Sequence, residues 1–327
     1  MRRRPVLIAA GATVAVGLVA YVAASAVVYD RLTRVPGVCH PDSAANSPTS
    51  FVVSEPPGFD VAPYLMPAPE SVTIPSRDAA ISVSGWFIAA DDPGAPVVLV
   101  VHGHTSCKRD RTVLLPAGML YRGGFSVLLI DLRDHGDSSR EDGRYAGGTD
   151  EYRDVLGAWD WLQEDRGFDA RRIGLVGISL GAATALIAAG ETPALAATWA
   201  DSSYADIRVA IRAELALNGY PTFLEQGGLL MARLFTGDDL AARSPLESVR
   251  RLGGRPLAIV HGEADGRLSA AYSRELAAAA TGAGARVETW FIPGAEHVEA
   301  MFLHPGEYER RLVGFFDAAL GDGQAAS

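Results

Sequence analysis

Short apolar runs recur along the chain at residues 97–101, 126–130, 173–176, 196–200, 256–260 and 287–292. Runs this short, bounded by glycine, aspartate and histidine, read as strands. Their lack of a polar face predicts a sheet covered on both sides. Segments with helical spacing lie between them, near 114–121, 149–164 and from residue 180 onward. The alternation predicts an α/β fold with a mostly parallel central sheet and helices on both faces. Residues 72–75 and 81–90 alternate apolar with polar positions, as in an antiparallel hairpin with Arg77-Asp78 in its turn. Between 201 and 252 the rhythm breaks, and 203–217, 223–234 and 245–252 read as a short helical insertion at about 202–252. No internal repeat is visible, and 321–327 reads as a frayed tail.

The N-terminal pattern is different. Residues 5–28 carry no charge, and as a helix they reach about 36 Å, enough for a hydrocarbon core of about 30 Å. Arg2, Arg3 and Arg4 precede the run, whereas Asp30, Arg31 and Arg34 follow it. This bias predicts a cytoplasmic N-terminus with the rest of the chain outside. Residues 1–34 are therefore read as an uncleaved membrane anchor. A cleaved signal sequence is the alternative, because Ala24-Ser25-Ala26 offers a small-x-small site. Residues 35–70, rich in proline and serine, read as an extended tether with at most local contacts to the domain, followed by one domain at 71–320. Export bears on the two cysteines: a disulfide between Cys39 and Cys107 would tie the tether to the rim of the domain, and two unrelated thiols are the alternative.

Composition narrows the partners. The 327 residues carry a net charge of −10, which speaks against a nucleic-acid partner. Of the 29 basic residues only Lys108 is a lysine, which we read as compositional bias rather than function.

Candidate chemistry lies just past the carboxyl ends of the strands. Gly177-Ile178-Ser179-Leu180-Gly181 sits between an apolar run and a run of small residues, the context of a sharp strand-turn-helix elbow that projects a serine hydroxyl. Residues 97–101 lead into His102-Gly103-His104, and 126–130 into Asp131, Arg133, Asp134, His135 and Gly136. Residues 256–260 lead into His261, Gly262, Glu263 and Asp265, and 287–292 into Gly294, Glu296 and His297. A serine nucleophile needs a base within hydrogen-bond reach, itself oriented by a carboxylate.

Taken together, these residues resemble the α/β-hydrolase family over roughly 71–320. The family's order of nucleophile, acid and histidine is met by Ser179, Asp265 and His297. Glu263 is the alternative acid, and Asp201 a further one used by some relatives of the fold. The resemblance implies an oxyanion hole made by the backbone N–H groups of Leu180 and His104, with Thr105 next in line. It places the insertion as a cap over the nucleophile, with Tyr204, Tyr220, Phe223, Leu229, Leu230, Met231 and Phe235 either walling an acyl pocket or packing as ordinary core. His135 falls in the family's structural turn, where a glycine commonly replaces Asp134. His102 reads as satisfying loop backbone groups, and His40, His261 and His304 carry no signal. His102, His104 and Cys107 lack the following Asp-His of a metallo-hydrolase, so neither metal nor cofactor is expected.

The expectation is an exported, membrane-tethered serine hydrolase acting on a small or lipid-like acyl ester through an acyl-enzyme. Peptidase or thioesterase activity on the same machinery is an alternative, as is a non-catalytic binding module. No N-terminal propeller is recognisable, which weighs against an oligopeptidase.

Overall fold

The computed structural model describes residues 3–37, 39 and 41–321; His40 and the expected tail beyond residue 321 lie outside the described residues. The strands are β1 (Glu70–Pro75), β2 (Ser82–Ile88), β3 (Val97–Val101), β4 (Ser126–Ile130), β5 (Ile173–Ile178), β6 (Ala197–Asp201), β7 (Pro256–Gly262) and β8 (Arg286–Ile292). They form one sheet in the order β1-β2-β4-β3-β5-β6-β7-β8. The first two strands make the antiparallel hairpin, with Ile74 opposite Val83, and β2 runs antiparallel to β4. Every pair from β4 to β8 is parallel. The strands from β3 to β6 are buried throughout, which is why their sequences show no polar face.

The helices are α1 (Arg3–Thr33), α2 (Arg111–Arg122), α3 (Tyr152–Glu164), α4 (Leu180–Glu191), α5 (Ile207–Leu217), α6 (Glu225–Phe235), α7 (Pro245–Val249), α8 (Ala270–Gly282), α9 (Ala300–Leu303) and α10 (Pro305–Leu320). One face of the sheet packs with α2, α9 and α10 in a core holding Leu114, Met119, Tyr308 and Phe316. The other packs with α3, α4 and α8 around Leu156, Leu162, Leu186 and Leu276. The expected helix at 114–121 begins earlier, because Asp110 accepts the Thr112 N–H at 2.9 Å and caps it.

A third core belongs to the insertion. It joins Tyr204, Ile207, Leu215, Leu224 and Met231 to Val28 and Tyr29 of α1, and reaches Leu180 at the start of α4. Helix α1, long and apolar enough over Gly11–Thr33 to cross a membrane, lies along α6 in its last three turns. Tyr21 faces Phe223, Ser25 faces Gly227, and Tyr29 faces Phe235 and Thr236.

Residues 35–70 differ from the extended tether read in the sequence. Phe51, Val53, Tyr64 and Met66 are buried in the first core, and Cys39 is joined to Cys107 by a disulfide. These apolar residues are scattered without periodicity, so they leave no local signature, yet each fills a site on the α2 face.

Candidate active site

At the C-terminal end of β5 the backbone turns sharply into α4. Ser179 caps that helix with φ 56° and ψ −116°, a left-handed conformation that a residue with a side chain adopts only under constraint. Constraint comes from the neighbours: the Ser179 N–H donates to the Asp201 carbonyl at 2.8 Å. A Cβ on Gly177 would collide with the backbone of Gly181 and Ala182, and one on Gly181 with the carbonyls of Val101 and His102. Close approach of α4 to β3 and β5 therefore dictates both glycines.

His297 reaches the elbow from the loop after β8, its Nε2 lying 2.9 Å from Ser179 Oγ. Its Nδ1 lies 2.7 Å from Asp265 Oδ2, on the loop after β7. The network assigns the tautomer: Nδ1–H donates to the carboxylate, leaving Nε2 to accept from the serine. Asp265 Oδ1 accepts the N–H groups of Arg267 and Leu268, each at 2.8 Å. Burial alone would raise the Asp265 carboxyl, but hydrogen bonds from His261 and His297 outweigh it and hold the group well below the usual carboxylate range.

Burial holds three histidines beside the β3 and β4 ends below their ordinary pKa. His102 donates to the Gly103 carbonyl and accepts the Leu132 N–H at 3.0 Å, satisfying loop backbone groups as read from the sequence. His135 donates to the Arg133 carbonyl, and Asp134 before it holds φ 63°, which explains why glycine suits that position. The His104 ring packs 4.1 Å from Tyr145, and burial pulls its pKa down to about 3. Gly103 is pressed against Ser179, since an added Cβ would stand 3.2 Å from the serine Cβ. The His104 backbone thus follows directly from the point of contact. Leu180 is the first residue of α4, where helix N–H groups lack intrahelical acceptors.

Neither alternative acid reaches His297. Glu263 pairs with Arg274. Asp201 is fully buried, accepts from Ser202 Oγ at 2.8 Å and Tyr308 OH at 2.9 Å, and is raised by that burial. Its chemistry lies behind the histidine: Ser202 Oγ also accepts the Val298 N–H at 3.2 Å, fixing the loop that carries His297. His261, without signal in the sequence, is buried with Nε2 3.0 Å from Asp265 Oδ2 and Nδ1 2.7 Å from Ser273 Oγ. Its place at the end of the β7 run, four residues before Asp265, is the signal that could have found it. Lys108 is buried too, paired with Asp131 and with Asp137 at 2.7 Å, and so clamps the loop after β3 to the turn after β4.

The insertion divides. Tyr204 and Met231 are buried, with Tyr204 OH donating to the Gly147 carbonyl at 3.0 Å. Phe223, Leu230 and Phe235 are instead exposed. Among the described residues no group of three or more His, Cys, Asp or Glu side chains is arranged to hold a metal ion.

Residues 117–323 match the sequence pattern of the prolyl oligopeptidase family. The chain belongs to that family. Fold comparison agrees: an esterase of Pyrococcus furiosus superposes with a TM-score of 0.65 at 24% identity, covering 83% of this chain and 97% of that one. The acylaminoacyl peptidase of Pyrococcus horikoshii gives 0.57 at 18% identity, covering 80% of this chain and 43% of that one. An uncharacterised Mycobacterium tuberculosis protein is 32% identical over 136 residues, 40% of this chain and 45% of that protein. A thiohydrolase of Aspergillus aculeatus is 30% identical over 100 residues, 30% of each chain. The chain spans less than half the length of the first curated relatives it matches. This prolyl oligopeptidase family member has the α/β-hydrolase fold.

Proposed function

We propose that the protein is a serine hydrolase that cleaves carboxylic esters through an acyl-enzyme on Ser179. The observation that carries this reading is the hydrogen-bonded row of Ser179, His297 and Asp265 at a constrained elbow. As Ser179 Oγ bonds to the substrate carbonyl carbon, its proton passes to His297 Nε2 and the carbonyl π pair moves onto oxygen. Asp265 holds the tautomer and stabilises the imidazolium. The N–H groups of Leu180 and His104 receive the oxyanion, each worth about 3 kcal/mol in comparable sites. Collapse returns the proton to the leaving alkoxide, and water repeats the sequence to release the acid.

In this reading α1 is an uncleaved anchor with the domain on the extracytoplasmic side. The arginines preceding the apolar run support the orientation, and the Cys39–Cys107 disulfide suits an oxidising compartment. Ser25 supports retention of the helix: it is buried against Gly227, where any Cβ would collide with its side chain.

Family membership favours a second reading, hydrolysis of peptide bonds by the same groups. The test is fluorophosphonate labelling of the membrane fraction, with turnover of p-nitrophenyl esters from acetate to palmitate beside peptidyl p-nitroanilides. The expected outcome is labelling and ester turnover that both vanish in Ser179→Ala. Faster anilide turnover would favour the peptidase, and an unlabelled wild-type protein would leave a non-catalytic module.

A further inference from the structure

The outward residues of the insertion have no role in the chemistry above. Phe223 is 67% exposed and stacks on Tyr21 of α1, while Leu217 and Leu230 are 61% and 49% exposed. Between α1 and this surface lies a groove of about 720 Å³ walled by Tyr21, Ala24, Val27, Tyr220, Pro221 and Phe223. Its polar atoms are already engaged: Tyr21 OH donates to the Phe223 carbonyl, and Tyr220 OH accepts from Arg31 at 2.9 Å. What remains is an apolar trough with tyrosines at its edges, the arrangement found where protein meets the membrane interface.

The length of α1 sets the depth of that trough. Residues 11–20 are exposed, and packing on the insertion starts at Tyr21. From Arg4 to Ala20 the helix rises only about 24 Å, short of a hydrocarbon core of about 30 Å. The remaining depth must be filled by residues 21–24, of which Tyr21 and Ala24 already pack on the insertion, and any tilt of the helix adds to that number. Phe223, stacked on Tyr21 at 6.2 Å, is carried to the same level.

We propose that the tip of the insertion is immersed in the leaflet that α1 enters, and that the groove between them holds an acyl chain of a bilayer phospholipid. The inference rests on the reading of α1 as an uncleaved anchor. Its occupant follows from continuity with the anchor, from the apolar walls and from the depth arithmetic. A volume within the usual range of ligand sites gives the chain room.

The test places the full chain in phosphatidylcholine vesicles containing a phosphatidylcholine with a diazirine in its acyl chain, followed by irradiation and peptide mapping. Label is expected in α1 and in the tryptic segment 213–233. Filling the groove with Ala20→Trp should lower label at 220–224 several-fold while leaving residues 11–16 labelled. Label confined to α1, or label at 220–224 unchanged by Ala20→Trp, overturns the proposal while the anchor stands. A chain that neither labels nor floats with the vesicles removes the anchor, and the proposal with it.

Discussion

Asp265 collects two backbone N–H groups and two imidazoles on its two oxygens, and the division of labour between those donors can be tested. Asp265→Asn presents an amide to His297 and favours the wrong tautomer, so kcat should fall by about 10⁴, as in comparable triads. In the proposed mechanism His261 acts only through Asp265, as a positioning residue. Removing one hydrogen bond to a charged group costs about 1.5 kcal/mol, so His261→Phe should lower kcat about tenfold with KM nearly unchanged. An equal rise in KM would instead indicate a structural collapse of the loop. Ser179, Asp265 and His297 could be read from the sequence because an elbow glycine pattern and strand-end positions are local. His261 is easily passed over, since a lone histidine ending an apolar run looks ordinary until its place four residues before Asp265 is weighed. The role of Asp201 was hidden for a related reason: its partners Ser202 and Tyr308 are 1 and 107 residues away, and only the second tells that the carboxyl points behind the site.

At the level of elements, parallel strands announce themselves because burial on both faces forces unbroken apolar runs, and eight short strands were legible on that basis or by alternation. Segment 35–70 was not, because it docks through four separated side chains and one covalent link. Cys39 and Cys107 stand 68 residues apart, with Cα atoms 5.5 Å apart. Chain entropy assigns such a link about 4 kcal/mol. The double variant Cys39→Ser, Cys107→Ser should therefore unfold at a clearly lower urea midpoint, with a steeper denaturant slope because the unfolded chain is no longer crosslinked, and remain active below it. An unchanged midpoint would mean that packing of Phe51, Tyr64 and Met66 alone holds the segment.

The molecule as a whole should be sensitive to acid. His104 has a folded pKa of about 3, and burial holds His102 and His135 below their ordinary value in the same way. An unfolded histidine titrates near 6.5. Between those values the unfolded histidines bind protons that the folded ones refuse, so the stability these three residues contribute is complete above about 6.5 and is lost as the pH falls toward 3. The melting temperature should drop steadily across that window, and less steeply in His104→Phe. Equal slopes in the two proteins would show that His104 takes up its proton without unfolding. A different consequence follows from Lys108, whose side chain is 1% exposed. It is the only lysine in the sequence, so the folded surface presents no lysine amine at all. Reagents that couple through lysine side chains find their target only after the clamp on Asp131 has opened.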